Sequence, residues 1–463
     1  MTQPNILFIL LDDLGWRDLS CYGSTFYETP VLDRLASEGM LFTDAYAACP
    51  VCSPTRASLL TGKYPATIGV TDYIDWSNNW HPCKGRFIDV PYTKYLPLEE
   101  FNLARALGAA GYQTWHVGKW HLGGPEFHPD CQGFDLNIGG YQAGLPEEGY
   151  FAPWKLPTLP EAEPGKYLTD HLTDEAIRLI SERDLDRPYF LNLCHYAVHT
   201  PIQAPEDLVE KYREKALQLG LDQTAALEEG EEFPTLQKAG QHVQRRLFQS
   251  HPAYAAMIEN LDTNIGRLLE VVDDNAMIVF TSDNGGLATA EGSPTTNRPL
   301  SEGKGWMYEG GTREPLIMRW PGKIASGSVC DAPVTSPDFY PTLLEAAGLP
   351  LQPEQHVDGM SFLPALLGAK DFDRGPIFWH YPHYGNQGGT PGSSVREGDW
   401  KLIEFFEDGR LELYNLREDI GEEHNRVADH RDMANALHGK LAAWRQSIEA
   451  KIPQPNPDWN QSV

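Results

Sequence analysis

Residues 5–11 read Asn-Ile-Leu-Phe-Ile-Leu-Leu, an apolar run with no alternation. A strand with one wet face alternates, whereas a strand buried on both faces reads as continuous apolar sequence, as in a parallel sheet covered by helices. Two later runs, 188–194 and 276–280, share this character. Together they commit the chain to an α/β fold with a large, mostly parallel sheet flanked by helices. Each run ends in polar residues: Asp12-Asp13, then His195 to His199, then Asp283-Asn284 followed by Gly285-Gly286. The carboxyl ends of such strands are where open α/β sheets bind ligands. An Asp-Asp pair can be a solvated turn, but at the tip of a buried strand two repelling carboxylates point to a hard cation. The oxygen donors Asp12, Asp13, Asp283 and Asn284 suit Ca²⁺ or Mg²⁺ rather than Zn²⁺, which wants more nitrogen or sulfur.

The sequence changes character near 368–374. Beyond it lie short alternating strands at 377–381, 394–396, 400–406 and 411–414, a Glu407-Asp408-Gly409 hairpin turn, and a polar helix at about 431–448. The expected division is an α/β domain over 1–370 and a smaller antiparallel sheet plus helix over 371–463. Other helices are expected at 30–37 with Thr29 as N-cap, 98–110, 170–182, 254–272 and 337–347. The acidic segment 206–232 reads as a solvated helical excursion. The stretch 64–97, rich in aromatics, His and Pro, is long for a loop; Trp76, Trp80 and His81 within it either line a sugar site or pack an insertion.

Acidic residues number 65 against 37 basic, a net charge of −28. That excludes nucleic acid and an anionic membrane surface as partners, and any anionic substrate needs a locally cationic site. The apolar run 6–11 is far too short for a membrane span. No basic region precedes it, so it is not a signal peptide; as written the chain reads as cytoplasmic, or as periplasmic or secreted if a signal has been removed. Seven scattered cysteines read as free thiols.

One of them, Cys52, lies in Ala48-Cys49-Pro50-Val51-Cys52-Ser53-Pro54-Thr55-Arg56, which leads into a helix from about Pro54. The helix dipole and Arg56 then favour an anion beside Cys52. A buried structural thiol and a Cys-x-x-Cys redox pair are the plain readings, although the latter belongs to a much shorter thioredoxin-like unit. The run Cys52-Ser53-Pro54-Thr55-Arg56 with Leu59-Leu60-Thr61-Gly62 also resembles the first signature of the formylglycine-dependent sulfatases. Gly111-Tyr112-Gln113-Thr114 with Gly118-Lys119-Trp120-His121 resembles the second. His199 before Thr200-Pro201, and the Lys304 loop Gly303 to Arg313, are similar to further family landmarks.

The resemblance spans nearly the whole chain and implies an alkaline-phosphatase-like α/β domain. It implies that a maturation enzyme oxidises Cys52 to formylglycine, and that Ca²⁺ (or Mg²⁺) is held by Asp12, Asp13, Asp283 and Asn284 together with residue 52. One hydroxyl of the hydrated aldehyde then attacks sulfur, helped by Asp283. His199 with Lys304 protonates the leaving alcohol, His121 takes the proton of the second hydroxyl, and Arg56 and Lys119 hold the diol. The implied substrate is a sulfate ester, most simply a sulfated saccharide of galactose or N-acetylgalactosamine type. The alternatives are a phosphomonoester, phosphodiester or phosphonate hydrolase, or a sulfated-sugar-binding relative that is never activated. The loop His380 to Gln387, with His380 and His383, forms the sugar-facing rim or else packs between domains; Trp80 and His81 are the other candidate sugar contacts.

Overall fold

A computed structural model describes residues 3–77 and 79–459. Its main sheet has nine strands, ordered Ser328–Cys330, Met40–Tyr46, Arg313–Arg319, Ala276–Ser282, Asn5–Leu11, Tyr189–Cys194, Gln113–Gly118 and Leu136–Ile138, with Val334–Thr335 also on Met40–Tyr46. Asn5–Leu11 lies at the centre, parallel to Tyr189–Cys194 on one side and to Ala276–Ser282 on the other. Arg313–Arg319 is the antiparallel member, paired with Ala276–Ser282 and Met40–Tyr46.

The absence of alternation in residues 5–11 has its cause here. Leu7, Ile9 and Leu11 enter one core, and Ile6, Phe8 and Leu10 enter the other, all of them buried. Each such side chain is worth about 1.5–3 kcal/mol. The first face is covered by Leu168–Glu182 and Pro252–Leu269. The second is covered by Leu103–Ala109, Phe339–Ala346 and the helix that carries Cys52.

That helix runs Cys52–Thr61, so Cys52 is its first residue rather than lying outside it. Val51 is extended (φ −140°, ψ 159°) and Thr55 donates its hydroxyl to the Cys49 carbonyl at 3.1 Å, which fixes the turn two residues before Pro54. The expected helix at 98–110 starts only at Leu103, where the Asn102 side chain caps it. Thr29 precedes Pro30–Glu38 as expected but makes no side-chain cap. Over 206–232 the structure corrects the sequence: the helix stops at Gln218, and Leu227–Glu232 pairs antiparallel with His242–Arg246. This hairpin lacks apolar alternation: Val243 buries against Phe233 and Trp306, and Arg245 reaches Glu231 at 2.8 Å and Glu302 at 2.7 Å.

The C-terminal sheet is antiparallel, in the order Ile377–Tyr381, Gly392–Glu397, Trp400–Phe405, Leu411–Asn415. Val395, Leu402 and Leu413 pack under the helix Arg431–Ser447. Trp379, Tyr381, Ile403 and Phe405 point the other way, onto Tyr46, Cys49 and Val51 of the first sheet's connections. Trp379 Nε1 donates to the Ala47 carbonyl at 2.8 Å, and fully buried Lys401 pairs with Glu309 and Glu422, each at 2.9 Å. The C-terminal sheet therefore braces the segment that leads into Cys52. Among the described residues, no helix is long and apolar enough to cross a membrane.

Candidate active site

Three parallel strand tips and one helix start meet at a single point. Asp12 and Asp13 follow the central strand, Asp283 and Asn284 follow Ala276–Ser282, Lys119 follows Gln113–Gly118, and Cys52 opens its helix. The Asp283 amide donates to the Leu11 carbonyl at 3.1 Å, so the strand pairing itself sets the two acidic tips side by side. Asp13 and His121 are held at φ 64° and 59°, left-handed conformations uncommon for residues with a Cβ and a mark of positions fixed by their surroundings.

Charges alternate tightly. Lys119 Nζ lies 2.6 Å from Asp12 Oδ2, and Lys304 Nζ lies 2.8 Å from Asp13 Oδ1. Arg56 donates Nε to Asp283 Oδ2 at 2.8 Å and Nη1 to the Lys119 carbonyl at 3.1 Å, and its Nη2 stands 2.7 Å from the same Asp283 oxygen as an ion pair. Arg56 is thus a partner of Asp283 and lies behind the pocket wall. Burial pushes Asp283 up to about 6 against the pull of Arg56, and raises Asp12 against that of Lys119. Burial also acts on Asp13, but Lys304 and His199 outweigh it and hold its carboxyl below the usual range.

At this cluster Asp12 Oδ1 and Asn284 Oδ1 are buried without a hydrogen-bond partner. The Asn284 orientation is fixed because its Nδ2 donates to Asp13 Oδ1 at 2.8 Å. Ligand atoms of Asp12, Cys52 and Asp283 lie within 4.8 Å of one another, as do those of Asp12, Asp13 and His199. Unpaired buried oxygens are costly, and a cluster of hard oxygen donors with two orphaned members fits a divalent cation such as Ca²⁺ or Mg²⁺.

Cys52 forms the floor of a cavity of about 230 Å³, with His121, His199 and Lys304 around it. Burial raises the Cys52 thiol despite Lys119 and Lys304 nearby, so the anion expected from the helix dipole is not the favoured state of this side chain. His121 Nε2 donates to the Ile74 carbonyl at 2.9 Å, leaving Nδ1 buried and unpartnered. Burial, with help from Lys119, drives His121 far below its usual value, so its Nδ1 carries a free lone pair and can accept a proton. His199 Nδ1 donates to the Thr200 carbonyl at 2.9 Å, and Nε2 lies 3.6 Å from Asp13 Oδ2. Burial and Lys304 push His199 down to about 4, while desolvation of Lys304 is offset by Asp13 together with Cys52, Glu291 and Asp12, which hold its ammonium above the usual range. The mobile proton on this wall sits on Lys304.

The candidate sugar contacts are placed differently. Trp76 lines the mouth, 51% exposed. His380, His383, Trp80 and His81 do not line the cavity and are nearly or fully buried. His380 accepts from Ser393 Oγ at 2.7 Å and donates to the Lys451 carbonyl at 3.0 Å. Trp80 Nε1 donates to the Tyr384 carbonyl at 3.3 Å. His81 bridges Asp89 at 2.7 Å and Asp72 at 3.1 Å, and His383 bridges Thr71 at 2.8 Å and Asp89 at 3.1 Å. The insertion folds back onto the C-terminal loop, so these groups pair with one another, by hydrogen bonds and ion pairs, behind the wall formed by Tyr73 to Ser77. The mouth is instead built from Trp76, Leu145, Glu147, Glu291, Asn386 and Gln387. Glu147 and Glu291 carried no sequence signal: each is one acidic residue in an irregular loop, and only the closure of the fold brings it to the pocket.

Residues 4–349 match the Sulfatase family. The chain belongs to the sulfatase family. It is a sulfuric ester hydrolase, and residues 302–447 match a second description, the C-terminal region of N-sulphoglucosamine sulphohydrolase. This sulfatase is 32% identical to a "Sulfatase" of Formosa agariphila, over 98% of this chain and 93% of that one. It is 33% identical to the N-acetylgalactosamine-6-sulfatase of Homo sapiens, over 81% of this chain and 68% of that one. The solved structure of Ps i-CgsB in complex with k-i-k-neocarrahexaose superposes with TM-score 0.76 at 27% identity, covering 100% of this chain and 96% of that one. The expected alkaline-phosphatase-like architecture, a mixed and mostly parallel sheet with a small antiparallel C-terminal sheet, is the one observed.

Proposed function

We propose that this sulfatase removes sulfate from a saccharide, with formylglycine at position 52 and Ca²⁺ (or Mg²⁺) held by Asp12, Asp13, Asp283 and Asn284. The observation that carries this reading is the convergence on one cavity floor of Cys52, a neutral His121, His199 and a protonated Lys304, beside orphaned hard oxygens. The cation supplies a positive field that offsets charge developing on the sulfuryl oxygens. Formylglycine supplies, as its hydrate, two hydroxyls where a cysteine has one thiol. Asp283, held by Arg56, stands within 4.8 Å of the residue 52 side chain as a proton acceptor for the attacking hydroxyl. Lys304 protonates the departing alcohol beside His199, and His121 Nδ1 accepts the proton released when sulfate leaves. Lys119 and Lys304 provide the local cationic field that a −28 chain otherwise lacks.

Cys52 is 3% exposed, so the maturation enzyme acts before the helix docks. The saccharide reading is supported by the chain's similarity to the N-acetylgalactosamine-6-sulfatase and to Ps i-CgsB, solved with k-i-k-neocarrahexaose, and by a polar, partly aromatic mouth. We divide the chain at 370/371, where the first sheet's last helix gives way to the strand Ile377–Tyr381. The test is turnover of matched aryl sulfate and aryl phosphate, then of monosulfated galactose and N-acetylgalactosamine. A preference for sulfate and cleavage of at least one sugar are expected; a clear phosphate preference overturns the reading.

A further inference from the structure

Beyond the second acidic strand tip the chain makes a turn, Glu291-Gly292-Ser293, with φ of 54°, 88° and 42°. Two of these three residues carry a Cβ in the left-handed region, which surroundings must impose. The Ser293 amide closes the turn onto the Ala290 carbonyl at 2.8 Å, and its hydroxyl donates to the Gln244 carbonyl. The turn presents Glu291 to the catalytic cavity.

There it meets the loop after the strand Ile377–Tyr381. Asn386 Nδ2 and Gln387 Nε2 both donate to the same oxygen, Glu291 Oε1, at 3.1 and 2.7 Å. Gln387 is 3% exposed and pinned by its backbone, whose carbonyl accepts from Thr289 Oγ1 at 3.0 Å and Trp306 Nε1 at 3.1 Å. Because its amide nitrogen faces the carboxylate, Gln387 Oε1 is left buried without a partner. Asn386, Gln387 and Glu291 all line the cavity whose floor is Cys52, His199 and Lys304. Glu291 also adds to the field at His199 and Lys304, the two residues on the leaving-alcohol side.

One acceptor thus remains on that wall, the second carboxylate oxygen of Glu291, and its negative charge is held in place by the two amides, while Gln387 Oε1 packs against Gly305. Acceptors are satisfied by hydroxyl donors and repel a second sulfate or a uronate carboxylate. We propose that Glu291, oriented by Asn386 and Gln387, is the specificity-determining residue of this enzyme: its remaining carboxylate oxygen accepts hydrogen bonds from free hydroxyls next to the scissile sulfate ester. The substrate it selects is a sugar unit bearing one sulfate and neutral neighbours. This rests on the saccharide reading above. Glu147, elsewhere on the mouth, adds charge of the same sign, and among the described lining residues Lys304, at the floor, is the lysine or arginine present.

The experiment compares the mature enzyme with Glu291→Gln, Glu291→Asp and Gln387→Leu on three substrates. These are a monosulfated galactose or N-acetylgalactosamine that the enzyme cleaves, the same sugar with a second sulfate on a neighbouring hydroxyl, and a small aryl sulfate. For Glu291→Gln and Gln387→Leu, the ratio of kcat/KM on the monosulfated sugar to that on aryl sulfate is expected to fall at least about tenfold, mainly through KM. For Glu291→Gln the ratio of disulfated to monosulfated turnover rises about tenfold or more, whereas Glu291→Asp, which keeps the charge, leaves that ratio low. Aryl sulfate turnover reports that each variant is folded and mature. Unmoved ratios, or equal losses on all three substrates, overturn the Glu291 assignment while the saccharide reading stands. A wild-type enzyme that turns over aryl sulfate and none of the sugars overturns both.

Discussion

Arg56 Nη2 stands 2.7 Å from Asp283 Oδ2, although 227 positions separate the two residues in the chain. Both are buried, and the guanidinium also holds the Lys119 carbonyl at 3.1 Å. One side chain therefore ties together the Cys52 helix and two strand tips. Its place in the signature follows from that clamp.

Arg56→Met should accordingly cost about 3–5 kcal/mol of stability, the range for stripping a buried charge of its partner. Turnover should vanish with it. Arg56→Lys should fail to restore turnover, because a single ammonium cannot replace the fork that spans Asp283 and the Lys119 carbonyl. Denaturant melts and aryl sulfate assays check both points; a fully stable Arg56→Met protein would contradict the clamp.

Removal of the divalent cation should abolish turnover and lower the melting temperature, since the oxygen donors are pooled from distant segments. A ligand at a hundredfold its Kd stabilises by about 2.7 kcal/mol. Adding Ca²⁺ back should restore both quantities. Asp13→Asn should be inactive and its melting temperature insensitive to Ca²⁺. Unchanged activity after exhaustive chelation removes the cation from the reaction.

The peptide carrying Cys52 should differ from its encoded mass by loss of one sulfur and two hydrogens and gain of one oxygen, in a host with the maturation enzyme. Protein made without that enzyme should keep the thiol, melt normally and show little turnover. Cys52→Ala should match the immature protein in both respects. Full activity of unconverted protein is the outcome that refutes this chemistry.

The Asp72–His81–Asp89–His383 network gives a pH prediction. Burial opposes the His81 charge, but Asp72 and Asp89 outweigh it and push the imidazolium up to about 12 from its ordinary 6.5. Because the folded value lies above the unfolded one, the network's contribution is complete below about pH 6.5. It is lost progressively as pH rises above about 6.5 toward 12. His81→Phe should therefore destabilise the enzyme by about 3–5 kcal/mol at pH 6, and the gap to wild type should shrink by pH 9. His383→Ala should lower stability and reduce turnover of sugar and aryl sulfates in parallel. A selective loss on sugars would place His383 at the mouth instead.

The sequence alone determined the strand core and which polar residues stand at its tips. Residues 5–11 are apolar at every position because both faces of the central strand are covered, and that demand is local enough to read from seven residues. The motif residues Cys52, Lys119, His121, His199 and Lys304 were legible from short sequence motifs, with Cys52 at the start of its helix and Lys119 just beyond a strand. Tertiary structure decided what lines the rest of the cavity. His383 reads like a sugar contact, but chain closure gives its ring Thr71 and Asp89 as partners and leaves no exposure. Glu291 reads like any loop acid until two amides from 95 and 96 residues downstream converge on one of its oxygens. Hydrogen-bond partners of irregular segments depend on which segments meet, and no periodicity in the chain encodes that meeting.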